Sequence, residues 1–242
     1  MKQFLLLFCF AEFFNFSDAQ KTELLLNFNS GLFSFGGKSP TSISEIIENS
    51  YFPDKGYTNN PYGTKPELSF GFSWGVQRVS RKKNIFGASI GYETLKSKVD
   101  INTISYNGIN RSASGRTTLT SNFIYLYPYY GHRFFYKKLH LDFTAGLDIA
   151  FCTDSKENGS ATDSNDNTVT AYSQREQPNP DVRLRAQLSL YYNHLGIYTG
   201  YSYGVTNFTP SMTGVGEENY ARLFRFGIIY LISDTTKKSN HH

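Results

Sequence analysis

From Leu68 to Val76 the chain alternates without a break. Leu68, Phe70, Phe72, Trp74 and Val76 are apolar, while Ser69, Gly71, Ser73 and Gly75 are very small. Successive side chains of a strand point to opposite faces, so the pattern predicts a strand with one apolar and one nearly bare face. Seven further stretches alternate in the same way. Leu24, Leu26, Phe28 and Leu32 stand against Asn27, Asn29 and Gly31. Phe86, Ala88, Ile90 and Tyr92 stand against Gly87, Ser89, Gly91 and Glu93. The fourth strand puts Leu119, Phe123, Tyr125, Tyr127 and Tyr129 on one parity, with Ile124 and Leu126 blurring it and Pro128 predicting an irregularity. The fifth alternates throughout, from Leu139 through Phe143 and Leu147 to Phe151. Three more run from Val182 to Leu190, Leu195 to Val205 and Phe224 to Ile232.

The connections between these strands differ in a regular way. Those at 81–84, 136–138 and 193–194 are tight turns. Those at 38–64, around Asn107-Gly108 and Ser114-Gly115, at 153–180 and at 209–218 are long. Eight antiparallel strands place every long connection at one end and every short turn, with both termini, at the other. This predicts an eight-stranded antiparallel up-and-down transmembrane β-barrel. Inside the first long connection, Ser42-Ile43-Ser44-Glu45 has capping-box spacing and predicts one or two helical turns.

The faces fit a membrane. No charge falls on the apolar parity within the central part of a clear strand, and Phe70, Phe72, Trp74, Phe143, Leu147 and Phe226 are expected to face lipid. The other parity carries Glu93, Asp142, Asp148, Arg183, Arg185 and Arg225 among glycine and serine. Eight strands leave an interior only wide enough for side chains, so these six predict a paired polar plug. Register counting sets Asp148 opposite Arg185, with Arg183 close by. A soluble lipocalin-like barrel would reverse the two faces.

Composition narrows the class further. In 242 residues the aromatic content is 17% and the mean hydropathy −0.41, with no apolar run of about 18 residues, which excludes a helical membrane protein. Residues 1–19 read as a signal peptide, with Lys2, the apolar run from Phe4 to Ala11, and Ser17 and Ala19 before the cut. Its removal would leave the barrel at 20–233 and a polar periplasmic tail at 234–242. The single lysine and two acids of 1–19 leave a net charge of about +5, too modest to argue for nucleic acid. Cys9 lies inside the apolar run, so Cys152 is left without an intrachain partner.

Candidate chemistry is sparse. Asp163, Asn165 and Asn167 have the spacing that opens a calcium loop, but Thr168 and Gln174 replace its glycine and bidentate glutamate, so no metal is expected. None of His132, His140 and His194 begins a His-x-Ser pair, and no catalytic or cofactor residues are assigned. The basic turns Arg81-Lys82-Lys83 and Lys137-Lys138 predict anchoring to lipid phosphates.

The segments Phe123–Phe134, Leu139–Phe151, Tyr201–Asn207 and Phe224–Tyr230 resemble the small outer-membrane β-barrel proteins of Bacteroidota, the group that includes PorT-like proteins. The resemblance implies an outer-membrane location and, as a role, a structural or accessory subunit of a secretion, uptake or assembly complex. The alternative is a stand-alone surface adhesin whose loops 38–64 and 153–180 bind a partner; a narrow pore and a lipid-modifying enzyme are more distant. Expected partners are outer-membrane lipids and an outer-membrane protein or lipoprotein seated near Ala88 or Ala186, and no nucleic acid.

Overall fold

The computed structural model describes residues 19–175, 180–208 and 218–236. These form eleven strands and no helix: β1 (Ala19–Gly36), β2 (Ile43–Asn49), β3 (Phe52–Thr58), β4 (Lys65–Ser80), β5 (Asn84–Tyr106), β6 (Ile109–Tyr136), β7 (Leu139–Asp163), β8 (Thr168–Gln174), β9 (Asp181–Tyr192), β10 (Leu195–Gly204) and β11 (Tyr220–Thr236). The signal peptide expected at 1–19 lies outside the described residues except for Ala19, which opens β1. Of the tail expected at 234–242, Asp234, Thr235 and Thr236 continue β11 and pair with Glu23, Thr22 and Lys21. Residues 237–242 lie outside the described residues.

Antiparallel pairing runs from β1 through β4, β5, β6, β7, β9, β10 and β11, and β11 returns to β1. The sheet therefore closes on itself. Phe70, Phe72, Trp74, Phe143, Leu147 and Phe226 all point outward and are between 42% and 54% exposed. Glu93, Asp142, Asp148, Arg183, Arg185 and Arg225 all point inward and are buried. Apolar surface outside and charge inside is a transmembrane barrel turned toward lipid.

The fourth alternating stretch behaves differently from its sequence pattern. Tyr125, Tyr127 and Tyr129 face the lumen, and Ile124 and Leu126 face outward. The neighbouring strand explains the choice. A Cβ on Gly87 would lie 2.4 Å from the Tyr129 ring, and one on Gly91 would lie 2.7 Å from the Tyr125 ring. The small face of β5 is the space that the tyrosines of β6 fill.

The two longest connections are not loops. Residues 43–49, where capping-box spacing predicts helix, form β2, and 153–180 contains the end of β7 and all of β8. The connection around Ser114-Gly115 is likewise strand: β5 and β6 meet in a two-residue turn at Asn107 (φ 47°) and Gly108 (φ 79°). Two positive φ values match the twist of the flanking strands, as in a type I′ hairpin. The 28 residues of β6 extend about 90 Å at 3.3 Å each, far more than a belt about 25 Å tall needs even when tilted. The far halves of β5, β6 and β7 therefore stand clear of the belt.

There they build a second ring. β2 pairs in parallel with β5 and antiparallel with β3; β3 touches β8 at Lys55–Thr170 and Gly56–Ala171; β8 pairs with β7. Six strands thus close around Ile46, Val99, Ile101, Ile104, Ala161, Val169 and Ala171, all buried. The faces exchange roles between the rings. On β5 the inward parity passes from Gly87, Ser89, Gly91 and Glu93 to Leu95, Val99 and Ile101, and the outward parity from Ile90 and Tyr92 to Lys96 and Lys98. One strand faces lipid in its first half and water in its second.

Candidate functional site

The lumen is built in layers. Near the turn end, Arg133 on β6 forks onto two carboxylates. Its Nε and Nη2 donate to Asp142 at 2.7 Å each, and its Nη1 and Nη2 donate to Glu23 at 2.7 and 2.8 Å. Gln77 donates to the same Glu23 at 2.6 Å and accepts from the Tyr129 hydroxyl at 3.1 Å. All five groups are buried. Bidentate geometry and full satisfaction are what make a desolvated ion network tolerable.

A second cluster lies nearer the projecting ring. Arg225 donates to Glu93 and Asp148, both at 2.7 Å, and to the Ser202 hydroxyl. Arg183 donates to Glu93 at 2.5 Å and to Asp181 at 2.7 Å. The register is two residues away from the sequence expectation: Asp148 stands opposite Arg183, and Arg185 stands opposite Gly146. Asp148 accepts from Arg225 at 2.7 Å and from the Ser202 hydroxyl at 3.5 Å, both from across the ring.

Arg185 lies between the clusters. Its guanidinium stacks 4.2 Å from the Tyr127 ring and donates to Gln187 at 2.5 Å, and no described carboxylate lies within ion-pair distance. It borders a cavity of about 20 Å³ with Asn27, Ser73 and Thr144, room for about one water.

Aromatic rings close the lumen beneath the second ring. Phe35 meets Phe33, Tyr62 and Phe208 edge-on at 5.0, 5.2 and 4.9 Å, and Phe123 lies 6.2 Å from Phe208. Arg183 sits 5.0 Å from the Phe123 ring, so the charged layer abuts this lid directly. Ion network, cavity, ion network and aromatic lid occupy successive levels of the lumen among the described residues.

Three members of the plug were not assigned from sequence. Arg133 shares its parity with the inward tyrosines, so taking that parity as lipid-facing concealed it. Glu23 sits on the same parity as Asn27 and Asn29, and that signal was readable. Asp181 adjoins the long connection and is recognisable only once β9 is seen to begin there.

The calcium-like spacing has a different use. Asp163 accepts from the Asn165 and Asn167 amides at 2.8 and 3.0 Å, and its other oxygen accepts from Arg111 at 2.9 Å. Arg111 also pairs with Glu48, tying β2 to β7 across the second ring. Although desolvation opposes it, these amides and the Arg111 charge hold the Asp163 carboxyl below the usual carboxylate range. A depressed value means that the turn is stabilised at neutral pH and loosens as pH falls through it. No group of three metal-ligating side chains occurs among the described residues. Calcium should leave the protease sensitivity of 153–175 unchanged, whereas Asp163→Ala should raise it. Protection by calcium would restore the metal site.

His132 faces outward, its Nδ1 3.0 Å from Asn84 Oδ1, whereas Asp142 faces the lumen. The two lie on opposite faces of the sheet.

The far end of the second ring is aromatic. Tyr51 is 88% exposed, and Phe52, Tyr106 and Ile109 stand with it at the β2–β3 and β5–β6 turns. Ser50 donates to Asn107 at 3.0 Å and joins the two turns.

No family model matches the chain, and no curated protein sequence matches it. Among solved structures, it is similar to Neisserial surface protein A at 9% identity and a TM-score of 0.36, over 86% of this chain and 96% of that one. It is similar to Ail of Yersinia pestis, solved with the heparin analogue sucrose octasulfate, at 8% identity and 0.31, over 87% and 97%. The translocator domain of the autotransporter NalP from Neisseria meningitidis matches at 11% identity and 0.29, over 95% and 94%.

Proposed function

We propose that the chain is an outer-membrane surface-recognition protein: a sealed eight-strand ring anchors a rigid second ring, which presents an aromatic tip to a partner outside the cell. The observation that carries this reading is the continuity of β5, β6 and β7 through both rings. A sealed lumen gives the lower ring no transport path, and three unbroken strands hold the upper ring at a fixed height and angle. Large exposed aromatics on a pre-organised support are the residues that dominate binding energy at protein interfaces. With the projecting end outward, the tight turns and both terminal strand ends lie on the periplasmic side, which suits a barrel delivered from there.

The competing role, an accessory subunit of a membrane complex as the PorT-like resemblance implies, would use the lipid-facing wall near Ala88 and Ala186. Photo-crosslinking residues placed in living cells at Tyr51 or Ile109, and separately at Ala186, discriminate between the two. Adducts at the tip and none at Ala186 are expected. Adducts confined to Ala186 would replace surface recognition with the membrane-complex role, and stepwise conductance in planar bilayers would overturn the sealed anchor.

A further inference from the structure

The outward side chains of β5, β6 and β7 change character within one step of the register. Tyr92, Ile124 and Phe151 stand side by side as the last apolar row. Thr94, Asn122 and Asp154 follow, and β7 carries an extra residue at this level, which moves its outward side chains from odd to even positions above the belt. The next row is Lys96, Thr120 and Lys156. Each of these three lies between buried neighbours along its strand, so each points away from the ring.

The charges near this row are unequally committed. Lys98 pairs with Glu67 at 2.9 Å, and Lys65 and Arg116 share Asp100. Among the described residues Lys156 pairs with Asp154 at 3.0 Å but stays 46% exposed, against 24% for Lys98 in its pair. No described carboxylate lies within ion-pair distance of Lys96. Adjacent strands are about 4.8 Å apart, so the two lysines flank the Thr120 hydroxyl with backbones about 10 Å from each other. Two flexible ammonium groups and a hydroxyl can close on one tetrahedral anion from that separation.

Height identifies the anion. The belt ends between Tyr92 and Thr94, and Lys96 lies about 10 Å further along the strand, about 8 Å higher at a barrel's tilt. That is the headgroup layer, which lysine stems reach while keeping their charge in water.

We propose that Lys96, Thr120 and Lys156 clamp a phosphate of a lipid in the leaflet at the projecting end, with its acyl chains against Tyr92, Ile124 and Phe151. The clamp depends on where the belt ends and not on what the tip recognises. Its failure would leave the tip crosslinks untouched, and their failure would leave the clamp intact.

The test is native mass spectrometry of the detergent-solubilised protein with diphosphorylated lipid A and with the same lipid stripped of phosphate. The wild-type protein should retain the phosphorylated form preferentially. Each basic side chain at an anionic lipid surface contributes a factor of about five, so K96Q/K156Q should weaken retention about 30-fold. K96R/K156R should restore it, and K98Q, one outward row further from the belt and less exposed in its pair with Glu67, should behave as wild type. Heat-shifted electrophoretic mobility checks that every variant is folded. Equal retention by K96Q/K156Q, or equal retention of the phosphate-free lipid, would overturn the clamp.

Discussion

Arg133→Met should lower the stability of the barrel in detergent by about 3–5 kcal/mol, the largest effect expected of any single substitution in the lumen. Arg133 is 1% exposed and makes four hydrogen bonds to Glu23 and Asp142. Methionine fills much of its volume but leaves two buried carboxylates facing each other with little compensation. Lys21, 2.9 Å from Glu23, is partly exposed and cannot replace a bidentate fork. The damage is that of uncompensated charge, so removing the charges should reverse it. The triple variant Arg133→Met, Glu23→Gln, Asp142→Asn should recover most of the loss, because a buried ion network replaced as a whole is often near neutral. Urea titrations followed by heat-shifted mobility read both outcomes. A single variant as stable as wild type, or a triple variant no better than the single, would show that the network is not what holds the turn end together.

Ile46→Ala should destabilise the second ring by about 2–5 kcal/mol and leave the first ring intact. Ile46 is fully buried on β2, in a cluster with side chains from β5, β7 and β8. The β3–β8 seam has two paired positions, and beside it Thr58 at the end of β3 donates its backbone N–H to Glu157 and accepts from Arg175. Limited proteolysis should cut the variant within 38–64 and 153–175, while the trimmed barrel keeps its heat-shifted mobility. Cooperative loss of both rings at one lower temperature would mean that they fold as a unit. In that case the projection could not be treated as a support carried on an independent anchor.

Much of the lower ring is legible in the sequence because its pattern is local. Alternation along one strand declares a lipid face and a lumen face with no knowledge of neighbours, and Leu68–Val76 or Leu139–Phe151 shows it alone. Charged residues on the lumen parity, from Glu93 to Arg225, follow from the same count. The second ring is legible only in part. The polar continuation of β5 past Glu93 is visible as a second alternation with its faces exchanged, but 38–64 and 153–180 are rich in serine, asparagine and glycine and read as loop. Their strand character comes from pairing: β2 lies on the free edge of β5, far away in sequence, and β8 folds back on the end of β7 through the turn at 164–167.

Other features were decided by tertiary structure for one physical reason: two faces of a strand can both be apolar enough to satisfy the pattern. On β6, Ile124 and Leu126 compete with Tyr125, Tyr127 and Tyr129, and the bare glycines of β5 settle which set turns inward. Register is equally non-local, since a shift of two residues keeps every side chain on its face and changes only the partner; Asp148 stands opposite Arg183 and not Arg185 for that reason. The sequence by itself determined a barrel, its lipid-facing wall and a charged lumen. Ring closure decided which charges pair, that aromatic rings cap the charged layers, and that much of what reads as surface loop belongs to a second ring standing on the first.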